Sequence, residues 1–327
     1  MKKTVVFIIL AGLLLGLLYW SVMSGSIRVP FSQLVQGGIS KADEEVNVIY
    51  DLRFPRIIIA SFAGAALAVA GALLQAVMRN PIADPSIIGI SSGANFTALL
   101  AVTLFPQLFY YMPLFAFLGG MIACGLVYSL SWKDGLHPLK LVLIGVAIHA
   151  TFSGLAEAFN YRGSYSVTSI SAATTSTLSM KTWADANVML FYAGVAIVFS
   201  LCLYSICNLL VLNDRTASSL GMRVIPARLL VSFAAVVLAS TATAIAGVIA
   251  FLGLLVPHIG RQLVGSDYKL LLPFCALAGA SLLLAADTIG RLLLAPNEIP
   301  ASILMSIIGG PFLIFLLRKK EQMNGHS

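Results

Sequence analysis

The sequence predicts an all-α, polytopic membrane protein of about ten transmembrane helices with both termini in the cytoplasm. Three observations carry that expectation. Of 327 residues, 59% are apolar and only 10% are charged, against about 25% charged in soluble domains. Mean hydropathy is +0.96. The apolar residues also gather into runs close to the ~20 residues that a spanning helix needs. This composition excludes a disordered chain, a nucleic-acid-binding module and a disulfide-stapled secreted domain.

Lys2 and Lys3 precede an apolar run from Thr4 to Met23. The run is long for a signal peptide and has no A-x-A cleavage site, so it reads as a retained first span with its N-terminus inside. Further spans fall near 56–78, 87–105, 113–131, 139–160, 187–210, 227–248, 250–264, 271–290 and 301–318, the eighth being short for a full crossing. Polar stretches lie at 25–55, 161–186 and 211–228. No soluble domain interrupts them, so residues 1–327 form one transmembrane domain with 211–228 as its largest inner loop.

Orientation follows from charge. The twenty Lys and Arg residues of the +7 chain divide thirteen to the predicted cytoplasmic segments and seven to the outer ones, which agrees with the positive-inside rule. The outer seven include Arg53, Arg56 and Arg291. Cys124, Cys202, Cys207 and Cys275 lie inside apolar runs without a C-x-x-C pair and read as small core residues.

Small residues are dense in the spans. Gly12 and Gly16 form a G-x-x-x-G, and residues 60–71 read ASFAGAALAVAG, a composition that lets helix backbones approach closely. Ionisable groups within spans are His149, Glu157 and Asp287, each costly in hydrocarbon. Asp287 precedes Arg291 by four residues, so an i,i+4 ion pair is its simplest role; His149 reads first as a hydrogen-bonded packing residue. There is no G-x-x-x-x-G-K-[ST] loop and no H-E-x-x-H motif. An ion-coupled secondary transporter would need more intramembrane carboxylates, and an intramembrane enzyme would need a paired acid or an activated nucleophile.

Seven segments in series are distinctive: DLRFPR (51–56), GALLQAVMRNPIADPSIIGISSGA (71–94), LNDRTASSLGM (212–222), FLGLLVPHIGRQLVGSDYKLLLP (251–273), GASLLLAADTIGR (279–291), NEIP (297–300) and GGPFLIFLL (309–317). Together they resemble the permease subunits of bacterial ABC importers for iron–siderophores, haem and cobalamin, the FecCD family. The resemblance implies a homodimer in the bacterial plasma membrane with one translocation path along its two-fold axis. It also implies two cytoplasmic ATPase subunits, which carry ATP and Mg, and an extracytoplasmic substrate-binding lipoprotein. This chain would then be a transport permease rather than an enzyme, with no cofactor or metal of its own. Haem is the favoured cargo, with an iron–siderophore or cobalamin as the alternative.

The resemblance also assigns roles to residues. In the 211–228 loop, Asp214, Ala217, Ser218, Leu220 and Gly221 would form a short helix seated in the ATPase, with Asp214 suited by capping and charge to the helix N-terminus. Arg53 and Arg56, just before the second span, and Arg291, at the end of the ninth, would meet acidic residues of the binding protein; anchoring at the membrane interface is the other reading. His137, Pro138 and Leu139 would form an inner gate. His149, Ser153, Glu157 and Asn160 on the fifth span, with Ser302 and Ser306 on the tenth, would line the path. Within RNPIADP (79–85), Arg79 and Asp84 are expected to brace a turn bracketed by two prolines. His258 is expected to stabilise the fold, and Glu298 to cap the last span or pair with an arginine.

Overall fold

The computed structural model describes residues 2–25, 30, 33, 44–131, 138–162, 178–295 and 297–324. These form twelve α-helices and no strand among the described residues: α1 (Lys2–Met23), α2 (Glu44–Met78), α3 (Ile90–Leu104), α4 (Met112–Ser131), α5 (Pro138–Arg162), α6 (Trp183–Cys202), α7 (Tyr204–Leu210), α8 (Asp214–Ser219), α9 (Val224–Ala246), α10 (Leu252–Leu263), α11 (Tyr268–Leu293) and α12 (Ala301–Asn324). Six of them (α1, α2, α4, α6, α9 and α11) are long and apolar enough to cross a membrane. Shorter apolar helical stretches occupy 90–104, 143–159 and 301–315.

Each predicted span coincides with helix, with three physical departures. The second predicted span begins too late. Helix α2 starts at Glu44 and runs through DLRFPR with Pro55 inside it. Proline removes the hydrogen bond to the carbonyl four residues earlier, here that of exposed Asp51, which water can serve. The sixth predicted span is two helices that break at Leu203. The eighth is the short α10, joined to α9 by the non-helical stretch 247–251.

The core is built around α2, which packs against α6, α9, α10 and α11. Its alanine-rich middle lets neighbours come very close. A Cβ on Gly64 would overlap the Gly279 carbonyl of α11, and one on Gly71 would overlap the Gly253 backbone of α10. Helices α3 and α4 meet in the same way at Gly93 and Gly119, where Thr97 Oγ1 also donates to the Phe115 carbonyl at 2.8 Å. Gly12 and Gly16, the most conspicuous packing motif in the sequence, have nothing within 4 Å of where a Cβ would stand. Small residues thus mediate packing where α2, α3, α4 and α11 are enclosed, not on peripheral α1. Gly64→Val is therefore expected to destabilise the fold by at least about 1–3 kcal/mol, whereas Gly12→Val should stay within about 0.5 kcal/mol. Thermal unfolding of the two variants in detergent checks this, and equal melting temperatures would refute it.

Three of the cysteines, Cys124, Cys207 and Cys275, are buried as expected, and Cys202 is exposed. Helix α10 contains Pro257, which frees the Gly253 carbonyl. Gln75 Nε2 donates to that carbonyl at 3.0 Å and to the Ala83 carbonyl at 3.2 Å, while Arg261 Nη2 holds Gln75 Oε1 at 2.5 Å. The proline's missing bond is thereby replaced by a side chain from the central helix.

Candidate functional site

Two charged clusters mark opposite ends of the bundle. Arg56 and Arg79 lie at either end of the enclosed part of α2, about 34 Å apart at the helical rise per residue. Each organises one cluster.

At the Arg56 end, Arg56 donates to both oxygens of Asp287: Nε at 3.1 and 2.9 Å, and Nη2 at 2.8 Å. Its Nη1 meets Glu298 at 2.9 and 3.1 Å. Ser179 Oγ donates to Glu298 Oε2 at 2.5 Å. Partial burial works against ionisation of Glu298, but the bonds from Ser179 and Arg56 outweigh it and hold the carboxyl below its usual range. Asp287 is only 2% exposed, and its principal partner is Arg56; the expected i,i+4 contact with Arg291 is longer, at 3.8 Å.

Arg291 and Arg53 have a second task. Arg291 Nη2 donates to the Ser21 carbonyl at 3.0 Å and to Ser21 Oγ at 2.8 Å, and Arg53 Nη1 donates to the Val22 carbonyl at 2.8 Å. Two guanidinium groups therefore satisfy the last carbonyls of α1 and complement the negative end of its dipole. The sequence expectation sets Arg53, Arg56 and Arg291 in front of or at the end of spans, facing outward. In the fold all three lie on helices and are engaged within the chain. Their hydrogen-bond partners are 31 to 270 residues away along the sequence; the sequence expected only the i,i+4 contact of Arg291 with Asp287 and a pairing of Glu298 with an arginine it could not specify.

At the Arg79 end, Asp214 Oδ1 is shared by Arg79 Nη2 at 2.8 Å and Arg228 Nη2 at 3.0 Å. Arg79 Nη1 also donates to the Leu212 carbonyl at 3.2 Å. These contacts pin the 211–223 loop to the ends of α2 and α9. Asp214 is the first residue of α8 rather than its cap; Asn213 holds the cap position and makes no side-chain bond there. The C-terminus of α8 is closed by Gly221 N to the Ser218 carbonyl at 2.9 Å and Met222 N to the Ala217 carbonyl at 3.1 Å. That pair of bonds needs a left-handed residue, and Gly221 supplies it at φ 84. Ser218 and Leu220 are exposed, while Ala217 faces inward and is buried, so it is not part of the offered surface. Asp84 does not pair with Arg79. It is buried and accepts from Ser86 N at 2.8 Å and from Ser86 Oγ.

The expected path residues are dispersed. Helix α5 packs on α3 and α4, and α12 packs on α10 and α11. On α5, His149 has a buried Nδ1 without a hydrogen-bond partner, Ser153 is half-buried and Glu157 is exposed. Pro138 and Leu139 open α5, Asn160 lies near its end, and His137 lies outside the described residues. On α12, Ser306 Oγ donates to the Ser302 carbonyl at 2.9 Å. Ser302 and Ser306 line an open surface hollow of about 440 Å³ with Val248, Ile303 and Ile307. His258 bonds Gln262 at 2.9 Å and stands edge-on to Phe312, a stabilising role as expected.

A bundle of apolar helices, six of them able to cross a membrane, with a pinned loop at one end and an ionic cluster at the other, describes a multi-pass membrane protein. Residues 13–319 match the model of the FecCD transport family, and the chain belongs to that family. It is 39% identical over 321 residues to the probable haem-iron transport system permease protein IsdF of Staphylococcus aureus strains MSSA476 and Newman, covering 98% of both chains. A metal-chelate type ABC transporter solved in an inward-facing conformation superposes with a TM-score of 0.81 at 30% identity, over 97% of this chain and 99% of that one. PsaBC from Streptococcus pneumoniae, solved with a Fab, shares the fold, with a TM-score of 0.61 at 12% identity over 88% of this chain and 95% of that one.

Proposed function

We propose that this chain is the membrane-spanning permease of an ATP-driven importer that brings haem iron into the cytoplasm. The observation that carries the reading is the α8 loop. It is an exposed helical knob fastened by Arg79 and Arg228 to two core helices, so a push on Leu220 or Ser218 is delivered to α2 and α9. Such a knob suits a cytoplasmic ATPase that works by rigid-body motion. The end-to-end likeness to a haem-iron permease supports haem as cargo.

In this reading the Arg79 end is cytoplasmic and the Arg56 end faces the substrate-binding lipoprotein. Two copies of the chain form a homodimer with two ATPase subunits, which hold ATP and Mg. Within the Arg56 cluster itself three arginines accompany two carboxylates, while Glu44, Glu45 and Asp51 precede it on the same helix, so both signs of charge are present at this end. Because Arg56 is spent on Asp287 and Glu298, docking at this end does not rest on a free guanidinium there. The path runs between the two copies past His149, Ser153, Glu157 and Asn160 of α5 and Ser302 and Ser306 of α12, with His137, Pro138 and Leu139 as its inner gate.

Reconstitution tests the reading. Proteoliposomes holding the permease, its ATPase and its binding protein are expected to accumulate haem only when ATP is supplied to the ATPase. Accumulation driven by a proton or sodium gradient without the ATPase would overturn it. Uptake of a ferric siderophore or cobalamin in place of haem would transfer the assignment to that cargo.

A further inference from the structure

Helix α10 is too short to cross the bilayer. Its twelve residues rise about 18 Å, against a hydrocarbon thickness of about 30 Å. Its start is tied to the Arg79 half of the bundle, because Gly253 abuts Gly71 and Asp84 and is bonded by Gln75. Its end leads to Asp267, which Asn208 of α7 holds at 2.8 Å. The return from the far end of α9 therefore falls to residues 247–251, non-helical backbone at membrane depth.

That stretch is bounded by two left-handed residues, Gly247 at φ 80 and Phe251 at φ 67. A non-glycine residue in that region is held there by its surroundings; the Phe251 ring lies where Gly309 of α12 has no Cβ. Between them the side chains alternate. Ile249 is buried, while Val248 and Ala250 are partly exposed, with Val248 lining the α12 hollow. Among the described residues, the N–H groups of Val248, Ile249, Ala250 and Phe251 have no hydrogen-bond partner. Across the hollow, Pro311 cannot bond the Ile307 carbonyl, and Ser306 adds a hydroxyl.

Unpaired backbone at membrane depth is tolerated only inside protein or against water. Here Val248, on the partly exposed side, lines the open hollow beside α12. The geometry points to residues 247–251, with Ser306 and the freed Ile307 carbonyl, as a hydrated hydrogen-bonding strip that contacts a carboxylate-bearing, oxygen-rich cargo midway across the membrane. The role rests on the permease reading above; the hydration does not.

The test is cysteine accessibility in a Cys202→Ser background, using proteoliposomes and a charged, membrane-impermeant methanethiosulfonate. Val248→Cys and Ala250→Cys should react at least on the order of tenfold faster than Ile249→Cys and than Leu15→Cys on the exposed face of α1, because a thiol in apolar surroundings keeps its proton and does not attack. Two small substitutions at alternate positions guard against misfolding of either. Excess haem, added with the ATPase and binding protein present, should slow both reactions several-fold. Equal rates at 248, 249 and 250, or rates no higher than at Leu15, would overturn the hydrated strip. Fast labelling that haem leaves unchanged would overturn the cargo contact. ATP-dependent uptake by the unsubstituted protein is measured separately, so failure of the strip and failure of the permease reading are distinguishable.

Discussion

Arg56→Met is expected to cost about 3–5 kcal/mol of stability, because it leaves the buried Asp287 carboxylate with only the longer 3.8 Å contact to Arg291. The expectation follows from the bidentate contact, with Nη2 at 2.8 Å, and from the near-complete burial of Asp287. Glu298 contributes less, since its side chain is 38% exposed and water can replace Arg56 there. A paired change separates broken ionic balance from lost packing. Arg56→Met with Asp287→Leu removes both charges and should recover most of the loss, as apolar replacement of a buried ion pair often does. Thermal unfolding in detergent of the single and double variants is the measurement. If the single variant melts with the parent, the cluster is not structural and its arginine is available to a partner. The same pair predicts that reversing charge at Arg56 weakens partner binding through the fold, not through a salt-sensitive contact.

Leu220→Asp is expected to abolish ATP-dependent uptake and the permease's stimulation of its ATPase, with stability unchanged to within about 0.5 kcal/mol. Leu220 is 61% exposed and makes the apolar tip of the α8 knob, so an aspartate there costs the fold little while presenting charge to the partner surface. This site isolates coupling better than Gly221→Trp. A tryptophan at Gly221 has open space around it but must adopt a left-handed backbone at φ 84, a conformation that costs an L residue about 1–2 kcal/mol. Asp214→Asn complements the test by loosening the knob from Arg79 and Arg228 while leaving Ser218 and Leu220 in place. Partial uptake is expected there. Normal uptake by Leu220→Asp would remove the loop from the coupling role.

The helices were legible because each one writes its own signal. Hydropathy over twenty residues depends on nothing outside the segment, and the ten apolar runs all became helix. Punctuation misled at DLRFPR. A proline among charged residues reads as a connection, yet Arg53 and Arg56 lie within α2 because their charges are met by α1, α11 and the Glu298 loop. The short α10 was visible as a weak eighth span. Its reason, a non-helical approach at 247–251 and a proline bond replaced by Gln75, was not. A hint was present in Pro257, whose fourth predecessor is Gly253.

The functional residues divide along the same line. The α8 helix was expected from the family resemblance of LNDRTASSLGM; its left-handed Gly221 and exposed Leu220 lie beside it in the chain, while the inward turn of Ala217 was not foreseen. Ser179, Gln75, Arg228 and Arg261 carried no local mark and matter only through residues brought to them by folding. Likewise, Gly12 and Gly16 carried the stronger motif, while Gly64 and Gly279 make the close contact.

From its sequence alone, this chain is committed to the bilayer, to helices at given places and to a transport family, because burial of apolar surface and helix formation are sums over local residues. The tertiary structure alone decided which arginine meets which carboxylate, which glycines touch and where backbone is left unpaired. Those are pairings between groups up to 270 residues apart, and ionic and hydrogen-bond energies depend on a few ångströms of separation that no linear pattern records.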